Sequence, residues 1–242
     1  MRGNGVALTA AQMKQCDAYT IREMGVPSMV LMERAALAAV DEILSGSDPA
    51  FDASYVLCVC GAGNNGGDGV AVARLLSLAG ARAEILFVGA RTEASVETAQ
   101  QLRIAENYGV RLIENPASAD LPLLLAQSGV TTIVDALFGI GLSRPVCGLH
   151  AEVIRACNAS PARVLSVDIP SGVSADTGAV MGVAIRADKT VVLAFQKIGL
   201  TLEPGKGLAG RTAVRDIGIG PQALVRQGVS RPSNGSSNGL LL

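Results

Sequence analysis

Three apolar runs end in residues that could do chemistry. The first leads into Gly61-Ala62-Gly63-Asn64-Asn65-Gly66-Gly67-Asp68-Gly69, where two amides and a carboxylate crowd a glycine-rich turn. The second, Thr131–Leu137, carries Asp135 and continues into Phe138-Gly139-Ile140-Gly141-Leu142. The third ends Val167-Asp168-Ile169-Pro170-Ser171-Gly172. The first turn satisfies GxGxxG between a strand and a helix, where glycines let backbone N–H groups approach an anion at the helix N-terminus. Turn geometry alone accounts for those glycines. It does not account for Asn64, Asn65 and Asp68, which bring far more hydrogen-bonding capacity than a turn uses.

The dinucleotide fingerprint also needs an acid at the end of the second strand, to hold a ribose. Here that strand ends Leu86-Phe87-Val88-Gly89-Ala90-Arg91, with Glu84 at its beginning, so the nicotinamide dehydrogenase pattern is incomplete. Asp135 and Asp168, each taken alone, serve equally well as turn or helix caps. Gathered with Asn64, Asn65, Asp68 and Ser171 at one sheet edge, they make an all-oxygen cluster suited to a hard cation. Its low formal charge favours a monovalent ion. Arg144, just past the second glycine turn, reads either as a phosphate partner or as a solvated loop residue. Lys197 follows the apolar run Val191–Phe195 and can point into the same crevice or away from it. Glu33 reads as an exposed helix residue. His150 is the sole histidine, and nothing around it builds a Ser/His/Asp triad.

Elements must hold these residues in place. Thr9-Ala10-Ala11-Gln12 is a capping-box pattern that opens a helix to about Met24, stopped by Gly25. Pro27 suits the first turn of a second helix over Ser28–Leu44, with Gly46 ending it. Its apolar stripe is Val30, Leu31, Ala35, Leu37, Ala38 and Ile43, interrupted by Glu33-Arg34 and Asp41-Glu42. Alternating periods then predict strand Val56–Cys60, helix Gly66–Ala79, strand Ala83–Val88, and a long helix capped by Thr92 and running to Tyr108. Strand Val110–Ile113, helix Leu121–Ser128, strand Thr131–Leu137, helix Leu149–Asn158 and strand Arg163–Val167 follow. Short strands around Val183–Ile185, Thr190–Phe195 and Thr212–Ile217 come last, with no long helix between them. This alternation predicts βαβ units on a mostly parallel sheet, with mixed strand directions in a C-terminal extension. Residues 1–226 form one domain on this reading, and the polar stretch 227–242 a disordered tail.

Composition narrows the function classes. Half the chain is hydrophobic (49%), with no Trp and few other aromatics, so the core is mainly aliphatic. A net charge of -1 gives no electrostatic case for nucleic acid. No apolar run approaches the ~20 residues of a membrane span. The first fifteen residues lack a signal-peptide core and are poor in arginine for a transit peptide, so a cytoplasmic protein is expected. Cys16, Cys58, Cys60, Cys147 and Cys157 are an odd set without metal-ligand spacing, which suits reduced thiols. Cys58 and Cys60 share one face of a strand and read as buried structural thiols.

At GAGNNGGDG (61–69), VDALFGIGLSRPV (134–146), DIPSG (168–172) and KIGL (197–200), the chain resembles the NAD(P)H-hydrate epimerase family, the YjeF N-terminal domain fold. NNGGDG, DALFGxGL and DIPSG in that order are specific together, and the likeness runs over residues 8–220. MERA (32–35) stands where the family has MENA, so Arg34 replaces an Asn in a helix expected to touch the site. The resemblance implies an α/β, Rossmann-like three-layer αβα sandwich and a homodimer. It implies an isomerase interconverting the R and S epimers of NADH and NADPH hydrated at C6 of the dihydronicotinamide ring. Asn64, Asn65, Gly66, Gly67 and Asp68 would bind this dinucleotide substrate. Gly139, Ile140, Gly141, Leu142, Ser143, Arg144 and Pro145 would form a second binding turn around a phosphate. Asn65, Asp135 and Ser171 would ligate a potassium ion, and Asp168 would contact the reacting ring as the candidate acid/base. No redox cofactor is implied, because the reaction moves no electrons. An ATP- or ADP-dependent dehydratase acting on the same hydrates is expected as a separate protein. The same fold also occurs as a non-catalytic dimerising scaffold, in RNA-decapping factors and an apolipoprotein-binding protein. The intact oxygen cluster favours catalysis over that alternative.

Overall fold

In a computed structural model, residues 6–45, 50–127 and 129–225 are described. In chain order, strand β1 (Ala7–Leu8) leads into helices α1 (Ala10–Arg22) and α2 (Ser28–Leu44). Then come β2 (Tyr55–Gly61), α3 (Asn64–Leu78), β3 (Arg82–Val88), α4 (Val96–Asn107), β4 (Arg111–Glu114), β5 (Thr132–Ala136), α5 (Gly148–Ala159) and β6 (Arg163–Val167). Strand β7 (Lys189–Leu193), the short β8 (Gln196–Lys197), the one-turn helix α6 (Gly205–Leu208) and β9 (Arg211–Arg215) complete the frame. Seven strands form one sheet in the order β4-β3-β2-β5-β6-β7-β9, and every pairing in it is parallel. The α/β, mostly parallel, Rossmann-like reading is borne out.

Residues of β2 alternate between two cores, as the strand period requires. Val56, Cys58 and Cys60 pack with α2, α3 and α4, while Tyr55, Leu57 and Val59 pack with α5. Both cysteines are fully buried on one face. Burial on both sides explains why β2 reads as a continuous apolar run.

Several local expectations are corrected. Helix α3 begins at Asn64 instead of Gly66, with Gly63 at its N-cap, so both asparagines lie in the first helical turn. Ser95 caps α4, its hydroxyl accepting from the Thr98 N–H; Thr92 sits in a 3-10 turn just before it. A 3-10 turn at Ser118–Asp120 and a π-helical turn at Leu123–Gln127 replace the helix expected over Leu121–Ser128. Val183–Ile185 is irregular. The C-terminal strands β7 and β9 join the sheet in parallel, and the antiparallel element there is one isolated bridge, Val173 to Val180. Loops and the short α6 make those crossovers, so the absence of long helices did not signal a change of strand direction.

The buried face of α2 is Leu31, Met32, Ala35, Ala36, Ala39, Val40 and Ile43. Val30 and Leu37, expected inside, are 45% and 49% exposed. Glu42, expected outside, is 1% exposed and pairs with Lys189 of β7 and Arg215 of β9. Small alanines let this helix approach the sheet closely, which carries Glu42 inward onto two cations. Gly46, Ser128 and the stretch 227–242 lie outside the described residues. Among the described residues, no helix is long and apolar enough to cross a membrane.

Candidate functional site

The chain steps outward from β2 through β3 to β4, then returns to lay β5 on the other side of β2. That reversal opens a crevice beyond the strand ends, where parallel α/β sheets bind ligands. A cleft of about 680 Å³ lies there, within the usual range for a small-molecule site. Its walls are the first turn of α3, the 137–144 loop, the end of β6, and the inner faces of α1 and α2.

Two glycines close the turn between β2 and α3. A Cβ on Gly61 would stand 2.2 Å from the Leu137 carbonyl oxygen, and one on Gly66 would stand 1.7 Å from that of Gly61. These glycines let backbone pass backbone. Gly63 differs, because a Cβ there would meet nothing within 4 Å, and it faces the cleft. Helix α3 has no side-chain cap, so the N–H groups of its first turn stay available to an anion. Ser95 N–H donates to the Ala62 carbonyl (2.9 Å) and Thr98 Oγ1 to the Gly63 carbonyl (2.9 Å), fixing the turn against α4.

Beneath the cleft floor lies Asp135, 1% exposed. Ser171 Oγ donates to its Oδ1 at 2.5 Å, while Ser166 Oγ (2.7 Å) and Ser171 N–H (2.9 Å) donate to its Oδ2. Burial raises the Asp135 pKa, and these hydrogen bonds pull it back. Ser171 Oγ in turn accepts from the Phe138 N–H at 2.9 Å, tying the second glycine turn to the DIPSG segment. Asn65 rests against Gly139, and its Nδ2 is buried with no partner among the described residues.

The chain leaves β6 through Asp168 in the left-handed region (φ 69°), a conformation that Asp tolerates better than most residues. Its carboxylate accepts from the Leu193 N–H at 3.2 Å and from the Lys197 ammonium. Lys197 is wholly buried. Strand β1 pairs with β8 in the register Leu8 to Lys197, so the start of α1 is placed beside that lysine. The Thr9–Gln12 capping box then launches α1 across the cleft, and Met13, Lys14, Asp17 and Ile21 line it from one helical stripe. Asp17 is pushed up to about 6, first by burial, then by the Asp168 charge, with Lys197 opposing. The buried Asp68 is also raised, by burial and then by Asp168 and Asp17.

Of the residues singled out in the sequence, Asn64, Asn65, Asp68, Gly139, Ile140, Gly141, Leu142, Ser143, Arg144 and Asp168 line one cleft. Gly66 and Gly67 lie behind it, buried in helix packing, and Pro145 is exposed outside its wall. Lys197 does not line the cleft; it is wholly buried and reaches it only through Asp168, to which it donates. Glu33 is more than an exposed helix residue, because it pairs with the nearly buried Arg74 at 2.5 Å. His150 sits against Phe138, ring centroids 5.0 Å apart. Asp17 went unnoticed in the sequence. The available signal was a carboxylate between Met13 and Ile21 on a stripe that is otherwise turned inward.

A family model described as YjeF-related protein N-terminus matches residues 28–199. The NAD(P)H-hydrate epimerase of Levilactobacillus brevis is 46% identical over 213 residues, covering 88% of this chain and 94% of the relative. That of Limosilactobacillus fermentum is 48% identical over 210 residues, covering 87% and 96%. Among solved structures, yeast YNL200c superposes with a TM-score of 0.74 at 20% identity, covering 96% of this chain and 98% of the yeast chain, and so shares the fold.

Proposed function

This chain belongs to the YjeF-related N-terminus family, and from that premise we propose that it is an NAD(P)H-hydrate epimerase. It interconverts the R and S epimers of NADH and NADPH hydrated at C6 of the dihydronicotinamide ring. The observation that carries this reading is one cleft lined by two chemically different sets of groups. The uncapped start of α3 and the Gly139–Arg144 loop offer N–H groups and a cation to a pyrophosphate. The same cleft gathers Asp17, Asp68 and Asp168 close enough to influence one another, where a reacting ring would lie.

Epimerisation breaks and remakes a bond to C6, by loss and return of hydroxide or by ring opening. Either route moves protons on oxygen or nitrogen, and these carboxylates supply them. No electrons move, so no redox cofactor is called for. The test is the R-to-S conversion of hydrated NADPH followed by chromatography. Wild type should accelerate it well above the spontaneous rate; no acceleration would overturn the reading.

A potassium ion belongs beneath the cleft floor, held by Asn65, Asp135 and Ser171. The donor set fits, being one carboxylate, one hydroxyl and one amide, with the Phe138 carbonyl 3.3 Å from Ser171 Oγ. A half-turn of the Asn65 amide would exchange its unpartnered nitrogen for a ligating oxygen. Such an ion would offset the buried Asp135 charge and tie the two glycine turns together.

A homodimer is supported by the outer face of α2. Val30, Leu37 and Leu44, 45%, 49% and 43% exposed, repeat every seven residues. Arg34 and Asp41 lie between them. Two copies packed antiparallel about Leu37 would place Arg34 near the other copy's Asp41, so the face is complementary to itself. All five cysteines are free, and four are buried, as suits a reducing cytoplasm. A separate ATP- or ADP-dependent dehydratase would consume one epimer and return the intact cofactor.

A further inference from the structure

We propose that Asp17 on α1 is the group that exchanges a proton with the C6 oxygen, while Asp168 is a fixed charge held by Lys197. This rests on the epimerase reading and deepens it. Three carboxylates meet in the cleft, and their surroundings assign different work to each. Asp168 accepts from the Lys197 ammonium and the Leu193 amide, both at Oδ1, so a buried cation and a strand amide hold its carboxylate in place. Asp68 lines the cleft from α3 but is buried. Asp17 is only partly buried, lies on the cleft-lining stripe of α1, and no hydrogen bond reaches its carboxylate among the described residues. It is the most exposed of the three, the other two being buried, and both of its oxygens are uncommitted among the described residues.

The groups around it tune that proton. Asp168 and Asp68 face it from β6 and α3, Lys197 faces it from β8, and Cys16 and Lys14 flank it on its own helix. Burial and the Asp168 charge let the carboxyl keep a proton up to about pH 6, close to working pH, where an acid that must also act as a base is effective.

In the forward step the Asp17 carboxyl gives its proton to the C6 hydroxyl. The C6–O bond breaks and its electron pair leaves with water, while the ring-nitrogen lone pair forms the C6=N bond of a cation. Water adds to either face of C6, the C=N electrons return to nitrogen, and the surplus proton passes back to the Asp17 carboxylate, directly or through a second water. Atoms and charge balance, and the Asp168 carboxylate lies near the transient cation.

The experiment measures kcat and kcat/KM for hydrated NADPH between pH 5 and 8, with the spontaneous rate subtracted, for wild type, D17N and D17E. D17N should lose roughly 100-fold or more in kcat with KM changed only a few-fold. The wild-type profile should fall above a midpoint near 6, and D17N should lose that limb while D17E keeps a displaced one. Wild-type acceleration with D17N matching its rate and profile would overturn the role of Asp17 and leave the epimerase reading standing. No acceleration by wild type would overturn both. If D17N fails to fold, the wild-type and D17E profiles decide, and a flat wild-type profile counts against Asp17.

Discussion

The Lys197 ammonium, with no exposed side-chain surface, donates to Asp168 and to the Leu193 carbonyl oxygen 2.7 Å away. Removing one member of a buried pair strands the other charge, which typically costs about 3–5 kcal/mol. K197M should therefore lose stability on that scale in urea unfolding. The double variant K197M/D168N should recover part of the loss, because no lone carboxylate remains. Simple additivity of the two changes would show that the pair is not coupled.

Gly63 and Gly66 stand three residues apart and should respond in opposite ways. A methyl on Gly66 collides with the Gly61 carbonyl, so G66A should unfold the turn or cost about 3 kcal/mol or more. A methyl on Gly63 meets open space at the mouth of the cleft. G63A should keep the wild-type melting temperature and raise KM, because it intrudes where the substrate's phosphates would approach the α3 N-terminus. Calorimetry and steady-state kinetics on both variants check this.

What the sequence made legible follows from strand-end grammar. Glycine turns and lone carboxylates after apolar runs mark the edge of a parallel sheet, so Asn64, Asp135 and Asp168 could be placed together from their local contexts. Asp17 could not, because its place in the cleft depends on β1 pairing with β8, a contact between residues far apart in the chain. Glu42 misled for a related reason. The period of α2 was read correctly as helical, but which stripe faced the sheet was decided by Ala36 and Ala39, whose small side chains permit close approach. The start of α3 at Asn64 was missed because Gly63 caps it without a side-chain hydrogen bond.

Potassium should act on stability as well as on rate. Replacing KCl by choline chloride at equal ionic strength should lower the wild-type melting temperature, since an ion that binds only the folded state stabilises it. S171A removes the 2.5 Å donor to Asp135 and should cost about 1–3 kcal/mol. Its melting temperature should also stop responding to potassium. An equal response in S171A and wild type would place the ion elsewhere.

L37E tests the outer face of α2. Two copies packed about Leu37 would bring two carboxylates together in an apolar seam, so the variant should be monomeric at concentrations where wild type is dimeric. Sedimentation velocity reads this directly. Leu37 is already half exposed in the single chain, so monomer stability should change by less than about 0.5 kcal/mol.

Asp17 also makes a prediction that needs no substrate. Its folded pKa of about 6 lies above the ordinary value of 3.8, mainly because burial disfavours the charged form. The folded chain therefore binds more protons than the unfolded chain between those two values. The contribution of Asp17 to stability is fully present below about pH 4 and is lost as pH rises through 6. At about 1.4 kcal/mol per tenfold change in proton affinity, the full loss is roughly 2–3 kcal/mol. D17N, which has no proton to release, should escape it. Urea unfolding of both proteins at pH 5 and pH 8 should show D17N gaining on wild type at the higher pH. An unchanged difference between the two proteins across that interval would mean that Asp17 ionises as freely in the folded cleft as in water.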